Sequence, residues 1–168
     1  MAISHANSSD IGRLTTLVNN AYKGGDAIRG WTNEAHLLEG PRTYEADIAR
    51  LLSLPGSALL IYEEEGELAG SVHLQRQEDK LYLGMLSVSP ERQGAGIGKM
   101  LLSAARDHAL REGCDRIEIT VISLREELIA WYERHGFKRT REIRPFPVWT
   151  LLSTPKRPLE LVVLEKEV

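Results

Sequence analysis

The chain has 168 residues, of which 42% are hydrophobic and 27% charged, and its 21 Lys and Arg against 24 Asp and Glu give a formal net charge of -3. This length predicts one domain, residues 1–168, with a core large enough to fold without disulfides. The nearly balanced charge excludes the strongly basic surface of a protein that binds nucleic acid as a whole. We therefore expect no nucleic-acid partner.

The cysteine and histidine content bears on the compartment and on metals. Cys114 is the one cysteine and cannot form an internal disulfide, which favours a reducing compartment. The N-terminal sequence lacks the basic and apolar segments of a signal peptide, and no run approaches the roughly 18 apolar residues of a membrane span. None of the five histidines has metal-ligand spacing. We expect a cytoplasmic protein that binds no membrane and no metal.

The first third of the chain predicts two helices joined by a long loop. A serine, Ser8 or Ser9, precedes an apolar stripe at helical spacing, so a first helix is expected from about Ser9 to Tyr22. The stretch from Asp26 to Arg42 is rich in large and charged residues, which indicates a structured loop. Thr43 is then predicted to cap a second helix that ends before Pro55.

The hydrophobic period changes from helical to two-residue in the segments 58–62, 69–74 and 81–88, which predicts three strands. Short polar turns join them, so we expect antiparallel hairpins. A long helix from Gly98 to Glu112 should follow. The remaining expected elements are a strand at 116–121, a helix at 126–135, and strands at 137–143 and 159–165. The strand–helix–strand succession from 81 to 121 predicts a parallel crossover, and hence a mixed sheet with helices on its faces.

The segment after the third strand carries a glycine-rich loop. It reads Gln93-Gly94-Ala95-Gly96-Ile97-Gly98-Lys99 and leads directly into the long helix. Alternating glycines at a strand-to-helix junction expose several backbone N–H groups, and the helix N-terminus adds unpaired donors and partial positive charge. This pattern predicts a phosphate site. The glycines alone leave open a flexible turn that only allows close packing.

Spacing separates the nucleotide motifs that share such glycines. A P-loop fails because Gln93 and Met100 stand where it requires Gly and Ser or Thr. A dinucleotide fingerprint fails because Lys99 stands where it requires its third glycine. What remains is Gln93-x-x-Gly96-x-Gly98, which resembles the acetyl-CoA motif of the GNAT acetyltransferase superfamily.

A second segment supports this resemblance. The residues Ile129-Ala130-Trp131-Tyr132-Glu133-Arg134-His135-Gly136-Phe137 are similar to the family's second signature, an aromatic-Tyr-Glu-Lys-x-Gly-Phe segment that ends its last helix. The resemblance implies the GNAT fold class, an α/β (α+β) domain with a mixed, mostly antiparallel central sheet of about six to seven strands and about four helices on both faces.

The resemblance also implies a set of residues that bind acetyl-CoA. The diphosphate would lie on a loop formed by Gln93, Gly94, Ala95, Gly96, Gly98 and Lys99. The pantetheine arm would pair like an added strand segment with Leu86, Ser87 and Val88. Lys99 either contacts a phosphate or is a solvated helix lysine, and both interpretations stay open.

The resemblance also implies catalytic residues, but more than one interpretation stays open for each of them. Tyr132 matches the tyrosine that donates a proton to the departing CoA thiolate, although a tyrosine on a helix face is usually a packing residue. The family's carboxylate base on the central strand is replaced here by Gly84 and Met85. The amine's proton is therefore expected to leave through water or through Glu34 on the acceptor-side loop, unless Glu34 is only solvated.

The roles of several other residues are predicted less specifically. Trp31 and Arg42 either line the acceptor pocket or anchor the long loop. Arg125 stands where many relatives carry Asn and either touches the cofactor or faces water. The segment from Arg144 to Trp149 is expected to be a turn or loop at the far edge of the sheet. Cys114 has no adjacent His or basic partner, so it is predicted to be buried and not nucleophilic.

The expected function is that of an acetyl-CoA-dependent N-acetyltransferase, acting by direct attack of a primary amine of a small molecule, as a monomer or homodimer. Two alternatives remain: acetylation of a protein α-amino group or lysine, and a non-catalytic acyl-CoA-binding sensor module. Tyr132 favours an enzyme over a sensor, and the missing strand carboxylate favours the opposite.

Overall fold

The computed structural model describes residues 3–23, 38–39, 41–145, 154–155 and 159–168. Its helices are α1 (Ile11–Lys23), α2 (Glu45–Ser53), α3 (Ile97–Arg111) and α4 (Glu126–Arg134). The strands are β1 (Ile3–His5), β2 (Leu38–Glu39), β3 (Ser57–Glu64), β4 (Glu67–Gln77), β5 (Lys80–Val88), β6 (Arg116–Ile122), β7 (Lys138–Pro145), β8 (Thr154–Pro155) and β9 (Glu160–Glu167).

Seven of these strands form one sheet, in the order β1-β3-β4-β5-β6-β9-β7, and β2 pairs separately with β8. All neighbours in the large sheet are antiparallel except β5 and β6, which are parallel and joined through α3. The predicted fold class is confirmed: a mixed, mostly antiparallel sheet, with four α-helices within the described ranges.

The helices cover both faces of the sheet because the strands alternate. On β3, Leu59 and Ile61 lie in the cluster that contains the apolar residues of α1 and α2, whereas Leu60 lies in the cluster of α3 and α4. This two-residue period is what a strand needs when both of its faces are buried under helices. We call the two sides the α1 face and the α3 face.

The starts of the first two helices differ from prediction. Asn7, and not a serine, caps a 3₁₀ turn at Ser8–Asp10 that leads into α1, and it forms a capping box with Asp10. Ser8 and Ser9 lie inside this turn, and the Ser9 hydroxyl donates to Asn7 Oδ1 at 2.6 Å. Helix α2 follows Tyr44 without a side-chain cap, and the Thr43 hydroxyl lies 3.1 Å from Asp47 Oδ2.

The central feature of the sheet is the separation of β5 from β6. Only three residue pairs join them, from Lys80 opposite Arg116 to Tyr82 opposite Glu118, although β5 continues to Val88. On its other edge β5 stays paired with β4 through a bulge, where Met85 has a φ of +49°. Within the described residues, the β6-facing edge of β5 beyond Tyr82 therefore has no partner strand.

Helix α3 lies close to the sheet at Gly70 of β4. A Cβ atom at this position would lie 2.8 Å from Ile97 Cγ2 and 3.1 Å from Leu101 Cδ1. Distances under about 3 Å require a shift of the neighbouring atoms, so only glycine allows the N-terminal turn of α3 to rest on β4. This contact fixes where the glycine-rich loop ends.

We expect the Gly70→Ala variant to lower the free energy of unfolding by about 1–3 kcal/mol, because the added methyl group overpacks the α3 contact. Gly12→Ala is the matched control: a Cβ there meets no atom within 4 Å, and alanine favours the helix by up to about 1 kcal/mol. Urea unfolding followed by circular dichroism measures both. Equal stability of the Gly70→Ala variant and the wild type would contradict the close approach.

Candidate active site

The glycine-rich loop joins β5 to α3 at the open end of the separated strands. Gly94 and Gly96 have φ values of +93° and +82°, a conformation that side chains rarely adopt. Gly96 is the N-cap of α3, and a Cβ at either glycine would meet no atom within 4 Å. Glycine is thus required here by the backbone conformation, and it leaves the surface over the helix N-terminus open. Gly98 is buried, whereas Ala95 and Lys99 are exposed.

Two side chains hold this loop in place. Arg92 forms ion pairs with Glu64 and Glu67 at the β3–β4 turn. The side-chain amide of Gln93 donates a hydrogen bond of 3.2 Å to the carbonyl oxygen of Val88. Both contacts tie the start of the loop to the ends of neighbouring strands, so the exposed glycines follow a fixed segment.

The β5 residues expected to meet the pantetheine arm are buried in the separated part of the strand. Leu86, Ser87 and Val88 are each at most 2% exposed. The Ser87 hydroxyl donates to the Met85 carbonyl oxygen at 3.0 Å within the bulge. The Tyr22 hydroxyl of α1 donates to the Leu86 carbonyl oxygen at 3.1 Å. These bonds stabilise the bulge from the α1 face.

Tyr132 lies in the cluster of the α3 face that also contains Leu86 and Val88. Its ring is 6% exposed and packs edge-on against Trp131 and Phe137, with centroid distances of 5.1 and 5.4 Å. Tyr132 therefore has a packing role. Its predicted role as proton donor stays a prediction.

Arg125 precedes α4 and is buried, with 2% exposure. The expectation that it faces water is wrong. Its Nε donates to Glu127 Oε1 at 2.7 Å, which provides a partner for a charge that burial would otherwise destabilise.

On the acceptor side, the described residues include Arg42 but not Trp31 or Glu34, whose predicted roles lie outside the described residues. The Arg42 guanidinium carbon is 5.3 Å from the centroid of the Tyr22 ring, a cation–π distance. The Asn19 side-chain oxygen accepts hydrogen bonds from the backbone N–H groups of Arg42 and Thr43, at 2.8 and 3.0 Å. Arg42 is therefore held beside α1. Its neighbour Tyr22 also contacts the bulge of β5 through the Leu86 carbonyl oxygen.

A charged group that the sequence analysis did not identify surrounds Glu118 on β6. Glu118 is 3% exposed and binds Lys80 Nζ at 2.6 Å and Arg144 Nη1 at 3.0 Å. Burial alone raises the pKa of this carboxyl, but the hydrogen bonds and charges of Lys80 and Arg144 outweigh it and lower the pKa. Glu118 is thus a paired carboxylate.

Arg144 corrects a prediction. It was expected in a turn or loop, but it belongs to β7, and the described chain of that strand ends at Pro145. Since β9 lies between β6 and β7, the long side chain of Arg144 reaches across one strand to Glu118. Residues 146–149 of the expected loop lie outside the described residues.

Next to the Glu118 group, Tyr82 of β5 and Thr120 of β6 join hydroxyl groups at 3.1 Å. Tyr82 and Thr120 are both partly exposed. The alternation of apolar and polar residues along each strand was the sequence signal at these two positions. It does not show how β5 and β6 are aligned, so the contact between Tyr82 and Thr120 could not be predicted.

His73 of β4 lies opposite Gly84 and is buried, with Nε2 2.9 Å from the Ser57 hydroxyl. Burial, followed by the nearby charge of Arg50, lowers the pKa of His73 to about 4, against a smaller opposing effect of Asp47. The imidazole is therefore neutral at neutral pH. Two residues earlier, the Ser71 hydroxyl is buried and has no hydrogen-bond partner among the described residues.

Two further predictions concern chemistry outside this region. Cys114 is buried as predicted, and burial raises the pKa of its thiol, which makes it a poor nucleophile at neutral pH. The described part of the chain holds no group of three or more His, Cys, Asp or Glu side chains arranged to bind a metal ion. It also contains no helix that is both long and apolar enough to span a membrane.

Comparison with known proteins identifies the family. Residues 25–137 match the model of the acetyltransferase (GNAT) family, which confirms the resemblance carried by the two sequence motifs. The match extends beyond both motifs towards the N-terminus and covers more than half of the chain.

Solved structures share the fold at low sequence identity. The ribosomal-protein-alanine N-acetyltransferase of Brucella melitensis aligns with a TM-score of 0.73 and 19% identity over 100% of both chains. The ribosomal-protein-S18-alanine N-acetyltransferase of Escherichia coli gives 0.72 and 18%, over 99% of this chain and 92% of the other. A GNAT superfamily phosphinothricin acetyltransferase of Sinorhizobium meliloti, solved with acetyl-CoA, gives 0.71 and 19%, over 99% and 87%.

The neutral His73 predicts a pH-dependent stability. An unfolded histidine takes up a proton near pH 6.5, whereas native His73 stays neutral down to about pH 4. The unfolded state therefore binds more protons in this window, so the contribution is present above pH 6.5 and is lost as the pH falls towards 4.

We expect His73→Gln to flatten this dependence, by up to about 3 kcal/mol in the free energy of unfolding between pH 7 and pH 4. Glutamine retains a partner for Ser57 but does not titrate. Urea unfolding at several pH values measures the effect, with the variant of the exposed His5, His5→Gln, as control. Parallel pH profiles for His73→Gln and wild type would refute the assignment.

Proposed function

Because this chain belongs to the GNAT family of acetyltransferases, we propose that it transfers the acetyl group of acetyl-CoA directly to a primary amine of a small molecule. The observation that carries this proposal is the separation of β5 from β6 beside an open glycine loop at the N-terminus of α3. We further propose that residues 1–168 form one catalytic domain, which acts in the cytoplasm as a monomer or homodimer and needs neither a metal nor a nucleic acid.

The diphosphate of CoA is assigned to the loop from Gln93 to Lys99. The first turn of α3 carries no acidic residue, and its N-cap supplies no side chain to occupy the backbone donors. An anion at such a helix N-terminus is stabilised by the N–H groups and by the helix dipole. Lys99 is exposed and adds a positive charge next to the site.

The pantetheine arm is assigned to the unpaired edge of β5 at Leu86, Ser87 and Val88. Its amide groups have the donors and acceptors of a short strand, so it can add to an open sheet edge. The carbonyl oxygens of Leu86 and Val88 accept hydrogen bonds from Tyr22 and Gln93, but no strand pairs with this edge among the described residues, which leaves room for a ligand beside it.

In the proposed reaction, the thioester carbonyl carbon forms one bond and loses another. The amine nitrogen bonds to the thioester carbonyl carbon, and the carbon–sulfur bond then breaks. We assign Tyr132 as the acid that protonates the departing sulfur. Since positions 84 and 85 are Gly and Met, the proton lost by the nitrogen is assigned to Glu34, directly or through water. Trp31 and Arg42 are assigned to the acceptor pocket, Arg42 with the support of its anchorage at Tyr22.

A protein α-amino group is the second candidate acceptor. Two of the structural neighbours are by name ribosomal-protein-alanine N-acetyltransferases, and they align over nearly the whole chain. A panel that contains both small amines and N-terminal peptides, assayed for release of CoA thiol, distinguishes the two acceptor classes.

We expect Gly96→Glu to abolish most of the binding of acetyl-CoA, because the side chain and its charge would occupy the phosphate site and oppose the positive φ. Gly113→Glu is the matched control: it lies just beyond α3 with a φ of +73° and equally open surroundings. Isothermal titration calorimetry measures both. A folded Gly96→Glu variant with wild-type affinity would contradict the assignment of the diphosphate.

We expect Tyr132→Phe to lower turnover about tenfold or more and to leave the Kd of acetyl-CoA nearly unchanged, because it removes only the acidic hydroxyl and keeps the packed ring. Tyr44→Phe, at an exposed tyrosine, is the control. CoA release with an accepted amine is the measurement. If turnover is unaffected, Tyr132 has a structural role only.

A further inference from the structure

A hydrogen-bonded bridge connects the two strands where they begin to separate. Tyr82 lies in the last residue pair that joins β5 to β6, and its hydroxyl contacts Thr120 Oγ1 at 3.1 Å. Thr120 is two residues beyond Glu118, the partner of Tyr82 in that pair. The bridge therefore spans the inner end of the opening between the strands.

The Tyr82 ring extends forward over the unpaired part of β5. A Cβ atom at Gly84 would lie 3.0 Å from Tyr82 Cε2 and 3.7 Å from its hydroxyl oxygen. The ring thus covers Gly84, immediately before the bulge at Met85. Tyr82 is partly exposed and belongs to neither of the two apolar clusters described above.

The bridge rests on a rigid base. Glu118, with its ion pairs to Lys80 and Arg144, lies directly beside it and holds the paired ends of β5 and β6 together. Because the Glu118 carboxylate is buried and paired with both cations, widening the base would separate a buried charge from its partners. The inner end of the opening therefore has a fixed size.

We propose that the Tyr82–Thr120 bridge limits the length of the acyl group, so that the enzyme accepts acetyl and excludes longer chains. This inference rests on the proposed function. A ligand that extends from the glycine loop along the edge from Val88 to Leu83 covers about 17 Å of strand, at about 3.3 Å per residue. Its acyl end then faces the bridge, and each added methylene has to displace the Tyr82 ring or break its bond to Thr120.

The test compares the binding of acetyl-CoA, propionyl-CoA and butyryl-CoA by calorimetry, which needs no acceptor amine. The wild type should bind acetyl-CoA about tenfold or more tightly than butyryl-CoA, since pockets discriminate a methylene by about 10- to 200-fold. Tyr82→Leu should reduce this ratio to near one. Thr120→Val, which keeps the shape of the side chain but loses the hydrogen bond, should reduce it about threefold.

Thr140→Val is the matched control, since it removes a threonine hydroxyl of the distant edge strand β7 that donates to the Val163 carbonyl oxygen of β9. It should leave the ratio unchanged. The ratio of two affinities is independent of the folded fraction of a variant, so partial unfolding cannot imitate the effect.

The outcomes separate the inference from the function. Equal wild-type affinities for acetyl-CoA and butyryl-CoA, or a Tyr82→Leu variant that retains the wild-type ratio, would overturn the inference and leave the proposed function intact. A folded wild type that binds no acyl-CoA would overturn both.

Discussion

The structure depends on the early end of the pairing between β5 and β6. A parallel pair in the middle of a sheet normally continues along both strands, but here it stops after Tyr82 and Glu118. The bulge at Met85 bends β5, and β4 follows it, while β6 stays paired with β9 over its full length. The opening thus lies between two intact halves of one sheet, which share the apolar cluster of the α3 face.

Each half supplies a different part of the site. The half with β3, β4 and β5 carries α3 through the close contact at Gly70, and it holds the glycine loop through Arg92. The half with β6, β9 and β7 contributes Glu118 and Arg144, which join it to Lys80. The two halves are therefore fixed to each other at the inner end of the opening, and the glycines with positive φ lie at the outer end.

The sequence predicts the hydrophobic period within each helix or strand well, but it predicts poorly how strands distant in sequence are aligned. The alternation in β3, β4 and β5 and the helical stripe of α3 are local patterns, and the parallel crossover follows from their order. The cap at Asn7 was missed because three neighbouring polar residues compete for the same donors. The contacts from Tyr82 to Thr120 and from Arg144 to Glu118 were missed because they depend on the register of strands distant in sequence. The position of the glycine loop before α3 was predicted because its motif is continuous, and its role in binding CoA stays a prediction, as do the roles of Trp31 and Glu34.

Gly84 links the proposed acyl site with the absence of a strand carboxylate. The Tyr82 ring covers this position, so a side chain at 84 would require the ring to shift by a few tenths of an ångström. A base at 84 would therefore disturb the Tyr82–Thr120 bridge. The titratable neighbour across the sheet, His73, does not replace the base, because its pKa of about 4 is too low for efficient proton transfer at neutral pH and its Nε2 is engaged by Ser57. Neither position 84 of β5 nor His73 of β4 therefore supplies a general base at this part of the sheet.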